Sequence, residues 1–183
     1  MARTDDGDVR RPLRVVQWTT GNVARQTVRA LLARDDLELV GVFAYSPEKV
    51  GRDVAELIGL DEPVGVKATD DVEALIALHP DCVVYSSLVP NVDELSRLLR
   101  AGVNVVTSSA FLNGRSLGGA AREAFEAAGP AQDDLGAMTT DFHAIGMTIT
   151  GVPVVNAIPA ACAAAPGIRT YADLPVITAK LEC

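Results

Sequence analysis

The sequence predicts an α/β fold, a parallel sheet wound on both faces by helices, on three observations. Short apolar runs rich in Val and Leu recur five times before residue 108, and segments of helical periodicity separate them. With 49% hydrophobic residues but only 4% aromatic ones, the core must be built from Ala, Val and Leu, the usual content of a covered parallel sheet. Parallel strands need crossover connections, and right-handed crossovers place helices on both faces.

The elements follow in order. Residues 1–12, rich in Asp and Arg, read as a solvated, flexible N-terminal arm. Leu13 to Trp18 is the first strand, and a helix runs from about Asn22 to Ala33 with Val23, Thr27, Ala30 and Leu31 at helical spacing. Leu37 to Phe43 is the second strand. A helical pattern spans Val50 to Leu60, and a short third strand spans Gly65 to Ala68. Thr69 caps the helix that follows, Asp71 to Leu78, whose apolar side carries Val72, Leu75 and Ile76. Asp81 to Tyr85 is the fourth strand and Val92 to Ala101, bounded by Pro90 and Gly102, the next helix. Val103 to Thr107 is the fifth strand, and Leu117 to Ala128 a helix. Beyond Gly129-Pro130 the alternation stops. Ala131 to Asp141 is polar, Met147 to Thr150 reads as one short strand, and Val152 to Ala165 is an alanine-rich helix closed by Pro166-Gly167. Ala131 to Thr150 lacks sustained periodicity and is expected to be the least ordered part of the body. The domain reading is a body over 13–128, a linker or remnant over 129–150, and a C-terminal helix and tail over 151–183.

The turn after the first strand is the stretch whose spacing implies a ligand. Against the phosphate-loop pattern G-x-G-x-x-G/A, the chain reads Thr19-Thr20-Gly21-Asn22-Val23-Ala24. Thr19 replaces the first glycine, Gly21 keeps the position where backbone approaches phosphate, and Ala24 is an accepted small residue for packing helix on strand. Such a turn aims unpaired N–H groups and the positive end of a helix dipole at a pyrophosphate. The architecture is therefore read as a Rossmann-type doubly wound parallel sheet with a short C-terminal helical appendage, and its ligand as a dinucleotide.

Charge and cysteine usage narrow the alternatives. Sixteen basic against twenty-four acidic side chains leave a net charge of −8, which argues against nucleic acid and anionic membrane as partners. Cys82, Cys162 and Cys183 are odd in number and lack metal-type spacing, and the polar N-terminus has no apolar signal core, so a reduced cytoplasmic protein is expected. Cys82, inside an apolar strand, reads as a buried structural thiol. The run Val152 to Ala165 is interrupted by Asn156 and Pro159 and is too short for a membrane span.

Ligands of open parallel sheets bind outside the carboxyl ends of the strands. Those ends read Trp18-Thr19-Thr20, Tyr45-Ser46, Tyr85-Ser86-Ser87 and Thr107-Ser108-Ser109, a hydroxyl-rich set able to bond ribose and carboxamide groups. The second strand does not end in the Asp or Glu that accepts adenosine ribose hydroxyls in NAD-binding proteins. With Ser46, Lys49 and Arg52 nearby, NADP is favoured over NAD, an inference that Glu48 weakens. Acid–base machinery is sparse: His79 reads as a solvated residue at a helix end away from the crevice, and His143 falls in an ambiguous segment. No nucleophile triad, zinc set or carboxylate pair is visible, so no catalytic residue is assigned.

Taken together, Val15-Val16-Gln17-Trp18-Thr19-Thr20-Gly21-Asn22-Val23-Ala24-Arg25, Tyr45-Ser46-Pro47-Glu48-Lys49-Val50-Gly51-Arg52-Asp53 and Cys82-Val83-Val84-Tyr85 resemble the dihydrodipicolinate-reductase-like proteins of actinobacteria, relatives of dihydrodipicolinate reductase and diaminopentanoate dehydrogenase. Val155-Asn156-Ala157-Ile158-Pro159-Ala160 through Ala165-Pro166-Gly167-Ile168, with Asp173-Leu174-Pro175, resembles that family's closing segment. The resemblance implies an NAD(P)-dependent oxidoreductase of a small amino or imino acid. It further implies phosphate binding at Thr19, Thr20, Gly21, Asn22, Val23 and Ala24, adenosine-side contacts at Tyr45, Ser46 and Lys49, and nicotinamide-side contacts near Tyr85 and Ser86. It also implies a terminal helix that returns to the first domain. The family's substrate domain has no counterpart between Ala128 and the tail, so the expectation is a chain that retains mainly the cofactor-binding half. A partner subunit, a second copy docking through the apolar C-terminal segment, is then needed to complete a catalytic cleft. The competing expectations are a non-catalytic dinucleotide-binding module and an inactive, internally deleted product.

Overall fold

Five strands line up in the order β3-β2-β1-β4-β5, every neighbouring pair parallel, in a computed structural model that describes residues 11–87, 90–108, 140–167 and 174–175, with backbone alone for 140–149. The strands are β1 (Leu13–Trp18), β2 (Leu37–Phe43), β3 (Ala68–Thr69), β4 (Cys82–Tyr85) and β5 (Asn104–Thr107). Helices α1 (Asn22–Leu32), α2 (Val54–Ile58), α3 (Val72–Ala77) and α4 (Val92–Arg100) connect them, and α5 (Thr140–Ala163) follows later in the chain. The order reverses between β1 and β4, which opens the crevice where ligands of such sheets bind.

Strand alternation builds two cores. In β1, Val15 faces the layer of Val28 and Leu31 from α1, while Val16 and Trp18 face Leu75 of α3 and Leu98 of α4. In β4, Val84 joins the first layer and Val83 and Tyr85 the second. The buried aromatics share one side: Trp18 stacks on Phe43 with ring centroids 4.2 Å apart and planes 8° from parallel. Buried Val154, Val155 and Ile158 of α5 complete the α1 layer, and Arg34 Nη1 donates to Asn156 Oδ1 at 3.1 Å. A Cβ on Gly151 would lie 3.0 Å from Thr27 Cγ2 and 3.3 Å from Val23 O, so the two helices meet at a residue that must stay small.

Several predicted boundaries move, each for a visible reason. The helix expected over Val50 to Leu60 forms only as the short α2, capped by Asp53, and a 3-10 turn (Pro47–Lys49) precedes the expected range. The expected third strand, Gly65 to Ala68, pairs with β2 only at Ala68–Thr69, because the chain before it folds back onto residues 51–54. There Val54 N donates to Val66 O, Gly51 N to Ala68 O and Ala68 N to Arg52 O. Asp53 holds this fold, accepting from the amides of Ala55, Val64 and Gly65. Asp71 rather than Thr69 caps α3, and the Thr69 hydroxyl accepts from the Asp71 amide instead. Met147 to Thr150 is helix, not strand: α5 begins at Thr140 and runs through Pro153 and Pro159, taking in residues expected to be linker. The helix over Leu117 to Ala128, the N-terminal arm before Arg11, Ser109, and most of the tail after Gly167 lie outside the described residues.

Candidate dinucleotide site

The turn between β1 and α1 has an unusual backbone. Thr19, at the first glycine position, adopts φ +80°, a left-handed conformation that costs a β-branched residue steric strain. Its amide donates to Phe43 O at 3.0 Å, and Ser86 N donates to Trp18 O at 3.4 Å, so β2 and the residue after β4 hold the strained turn. Gly21 caps α1 with φ −76° and ψ −170°, a conformation open to any residue, and a Cβ there would meet nothing within 4 Å. Neither backbone nor packing requires glycine at Gly21. Open space at the head of a helix with no side-chain cap and no acidic residue in its first turn is what a diphosphate needs. Ala24 is buried against the sheet, as helix-on-strand packing demands.

A buried polar network sets this turn. Gln17 lies fully buried, its Oε1 accepting from the Thr27 hydroxyl at 2.5 Å and its Nε2 donating to Trp18 O at 2.8 Å and Ser86 Oγ at 3.4 Å. A buried amide with these partners ties α1, the end of β1 and the residue after β4 into one unit. Lys49 reaches from the 3-10 turn to donate to Thr20 Oγ1 at 3.1 Å. Its ammonium therefore stands beside the turn between β1 and α1, while the backbone amide of Glu48 itself and then Ser46 hold the Glu48 carboxyl below the usual carboxylate range. Arg52 is committed to Glu56, 3.0 Å away.

The aromatic side of the crevice gathers on Glu94. Its Oε2 accepts from Trp18 Nε1 at 3.1 Å, Tyr45 OH at 2.7 Å and Tyr85 OH at 2.9 Å. Tyr45 is 52% exposed, whereas the Tyr85 ring is wholly buried; burial pushes its phenol well above the ordinary value, so it stays protonated and donates. Thr19 to Ala24, Lys49 and Ser86 thus gather at the turn between β1 and α1, and Tyr45 is exposed beside it. The reading from sequence placed Trp18 at a strand end by the crevice but missed Gln17, Thr27 and Glu94 as site-forming residues; the one available signal was a glutamine inside an apolar strand.

His79 is exposed on the amino-terminal side of β4, away from the crevice, with φ +50° at the end of α3. His143 is on the backbone of α5. Among the described residues no group of His, Cys, Asp and Glu could hold a metal ion, and no helix is long and apolar enough to cross a membrane.

No protein-family model matches the chain. Over 101 residues, 52% of its length, it is 42% identical to an amine dehydrogenase of Streptomyces virginiae, 28% of which is covered. Over 117 residues, 56% of its length, it is 32% identical to a 4-hydroxy-tetrahydrodipicolinate reductase of Synechococcus elongatus, 40% of which is covered. The solved structure of amine dehydrogenase from Mycobacterium smegmatis matches with a TM-score of 0.50 and 35% identity over 54% of this chain and 30% of that one. About half of this chain is therefore related to amine dehydrogenases and 4-hydroxy-tetrahydrodipicolinate reductases, in agreement with the resemblance read from the motifs. The chain spans well under half the length of these relatives.

Proposed function

We propose that this chain is the dinucleotide-binding half of an NAD(P)-dependent oxidoreductase acting on a small amino or imino acid. The observation that carries the reading is Gly21: a glycine that the fold does not need, at a helix head without a side-chain cap. The amides of the first turn of α1, with Gly21, would hold the diphosphate, Lys49 would add a counter-charge, and Ser86 and Ser46 would bond the two ends of the ligand. When bound, the nicotinamide supplies or accepts the hydride. The protein's own share is to bind, to orient, and to keep water away from the reacting face.

NADP is the favoured form, because β2 ends in Tyr45 and Ser46 rather than a carboxylate and Lys49 stands close by. A second copy docking through the C-terminal segment would complete the cleft, and the compartment would be the reducing cytoplasm. Titration of the full chain with NADPH and NADH, followed by calorimetry, tests the core of this reading: saturable binding with NADPH the tighter ligand is expected, and no binding of either at millimolar concentration removes it. The competing reading is a dinucleotide-binding module without turnover. Tight binding with no NAD(P)H oxidation on imino-acid substrates, in monomer and dimer alike, would select it. An inactive, internally deleted product would show neither.

A further inference from the structure

Glu94 is rooted in the first turn of α4 and half-buried, yet its carboxylate is carried over the carboxyl ends of three strands at once. Trp18 ends β1, Tyr85 ends β4, Tyr45 follows β2, and all three donate to the same oxygen, Oε2. Oε1 has no hydrogen bond from any of the described residues. The buried indole N–H and the Tyr85 phenol need an acceptor, but a neutral amide oxygen would also accept from them, through weaker bonds. The negative charge is surplus to that structural need.

We propose that Glu94 is a specificity-determining residue for the adenosine half of the ligand: from α4 it brings to the end of β2 the carboxylate that β2 lacks, and it disfavours a 2′-phosphate there. This inference rests on the dinucleotide reading and deepens it. Lys49 and Glu94 then pull in opposite directions. The lysine, bonded to Thr20, attracts phosphate, whereas Glu94, 2.7 Å from the Tyr45 hydroxyl, favours ribose hydroxyls over an added dianion. Glu94 thus narrows the preference for NADP that Lys49 creates. The nearest rival for this role is Glu48, but its carboxylate is already engaged by its own amide and by Ser46.

The test compares NADPH and NADH affinities by calorimetry for the full wild-type chain, Glu94→Gln and Glu48→Gln, with melting of each unliganded protein as a check on folding. Gln keeps an acceptor oxygen for Trp18, Tyr45 and Tyr85 while removing the charge. The preference for NADPH over NADH should rise about threefold or more in Glu94→Gln and stay at the wild-type value in Glu48→Gln. Glu94→Asp, which keeps the charge but draws it back by one methylene, should fall between, and it stands in if the amide variant does not fold. An unmoved ratio in the Glu94 variants, or a shift confined to Glu48→Gln, overturns this inference while leaving dinucleotide binding intact. Failure of the wild type to bind either form overturns the underlying reading, and this inference with it.

Discussion

Gly21→Ala separates what the fold needs from what a ligand needs. In the folded protein the added methyl enters open space, with nothing within 4 Å, and φ −76° with ψ −170° suits alanine as well as glycine. Two small effects on stability oppose each other. Alanine reduces the freedom of the unfolded chain, stabilising by about 0.4–1 kcal/mol. It is also a poorer helix N-cap than glycine, which costs a similar amount. The net change should lie within about 0.5 kcal/mol, or about 1–2 °C in the melting midpoint for a chain of this size. Binding responds differently. At a dinucleotide concentration about 100 times its Kd, the wild type gains about 2.7 kcal/mol, or about 5–10 °C. A methyl standing where phosphate oxygens must lie that weakens binding about a hundredfold cuts this gain at the same concentration to about 0.4 kcal/mol. Differential scanning fluorimetry with and without NADPH reads both quantities. An unliganded midpoint several degrees below wild type would show that the fold uses Gly21 after all. A ligand-induced shift equal to that of the wild type would show that no phosphate lies against it.

Three further outcomes follow from the geometry. Thr19→Gly should raise the melting midpoint by about 2–4 °C, because relief of left-handed strain at φ +80°, of order 1–3 kcal/mol, exceeds the roughly 0.5–1 kcal/mol of added chain entropy; a lower midpoint refutes the strain. Asp81 is held below the usual carboxylate range first by the Arg11 guanidinium, 2.7 and 2.8 Å away, and further by the Arg14 amide at 2.8 Å. A carboxyl lowered by folding contributes stability above the unfolded value of about pH 4 and loses it as pH falls through its own lower value. Because Arg11 is solvent-exposed and screening weakens the pair, Asp81→Asn should cost less than about 1 kcal/mol at neutral pH and flatten the acid limb of a urea-denaturation series, whereas an unchanged acid limb counts against the pairing. The Cys82 and Cys162 thiols donate to Val83 O and Asp81 O, each at 3.7 Å, and the interaction between the two thiols, with burial, pushes Cys82 up while it lowers Cys162. Iodoacetamide at pH 8, followed by peptide mass spectrometry, should label Cys162 at least about tenfold faster than the buried Cys82; equal rates contradict the arrangement.

Long-period features were legible and pairwise ones were not. β1 and β2 fall at the predicted residues, Leu13 to Trp18 and Leu37 to Phe43, because a strand buried on both faces is apolar at nearly every position. Met147 to Thr150 misled because Thr148, Ile149 and Thr150 favour strand by propensity, a weak and context-dependent preference, whereas the backbone there is helical. The short β3 was misplaced because its flanking backbone groups are spent on residues 51–54. The candidate turn after β1 could be picked out from spacing alone, since its residues are consecutive. Glu94 could not: a glutamate in the first turn of a helix is ordinary at the level of sequence. What distinguishes it is the convergence of Trp18, Tyr45 and Tyr85 from three strands that only the crossovers bring together.

The docking of α5 bears on how the sheet is covered and on how the turn after β1 is held. A doubly wound sheet is stable only if both faces are covered, and the face that carries Val15 and Val84 is wider than α1 alone can cover. Val154, Val155 and Ile158 of α5 join α1 on that face, and Gly151 lets the two helices come within a methyl's width of each other. Gly151→Val tests this directly, because its γ-carbons would be driven into Thr27 and the Val23 carbonyl, 3.0 and 3.3 Å from the Cβ position. Thr27 is also the residue that positions Gln17 beneath the phosphate turn, 2.5 Å from its amide oxygen. The substitution should therefore lower the melting midpoint by several degrees and weaken dinucleotide binding together. Loss of stability without loss of affinity would show that α5 is a cover only, with no hold on the turn that Thr27 and Gln17 support.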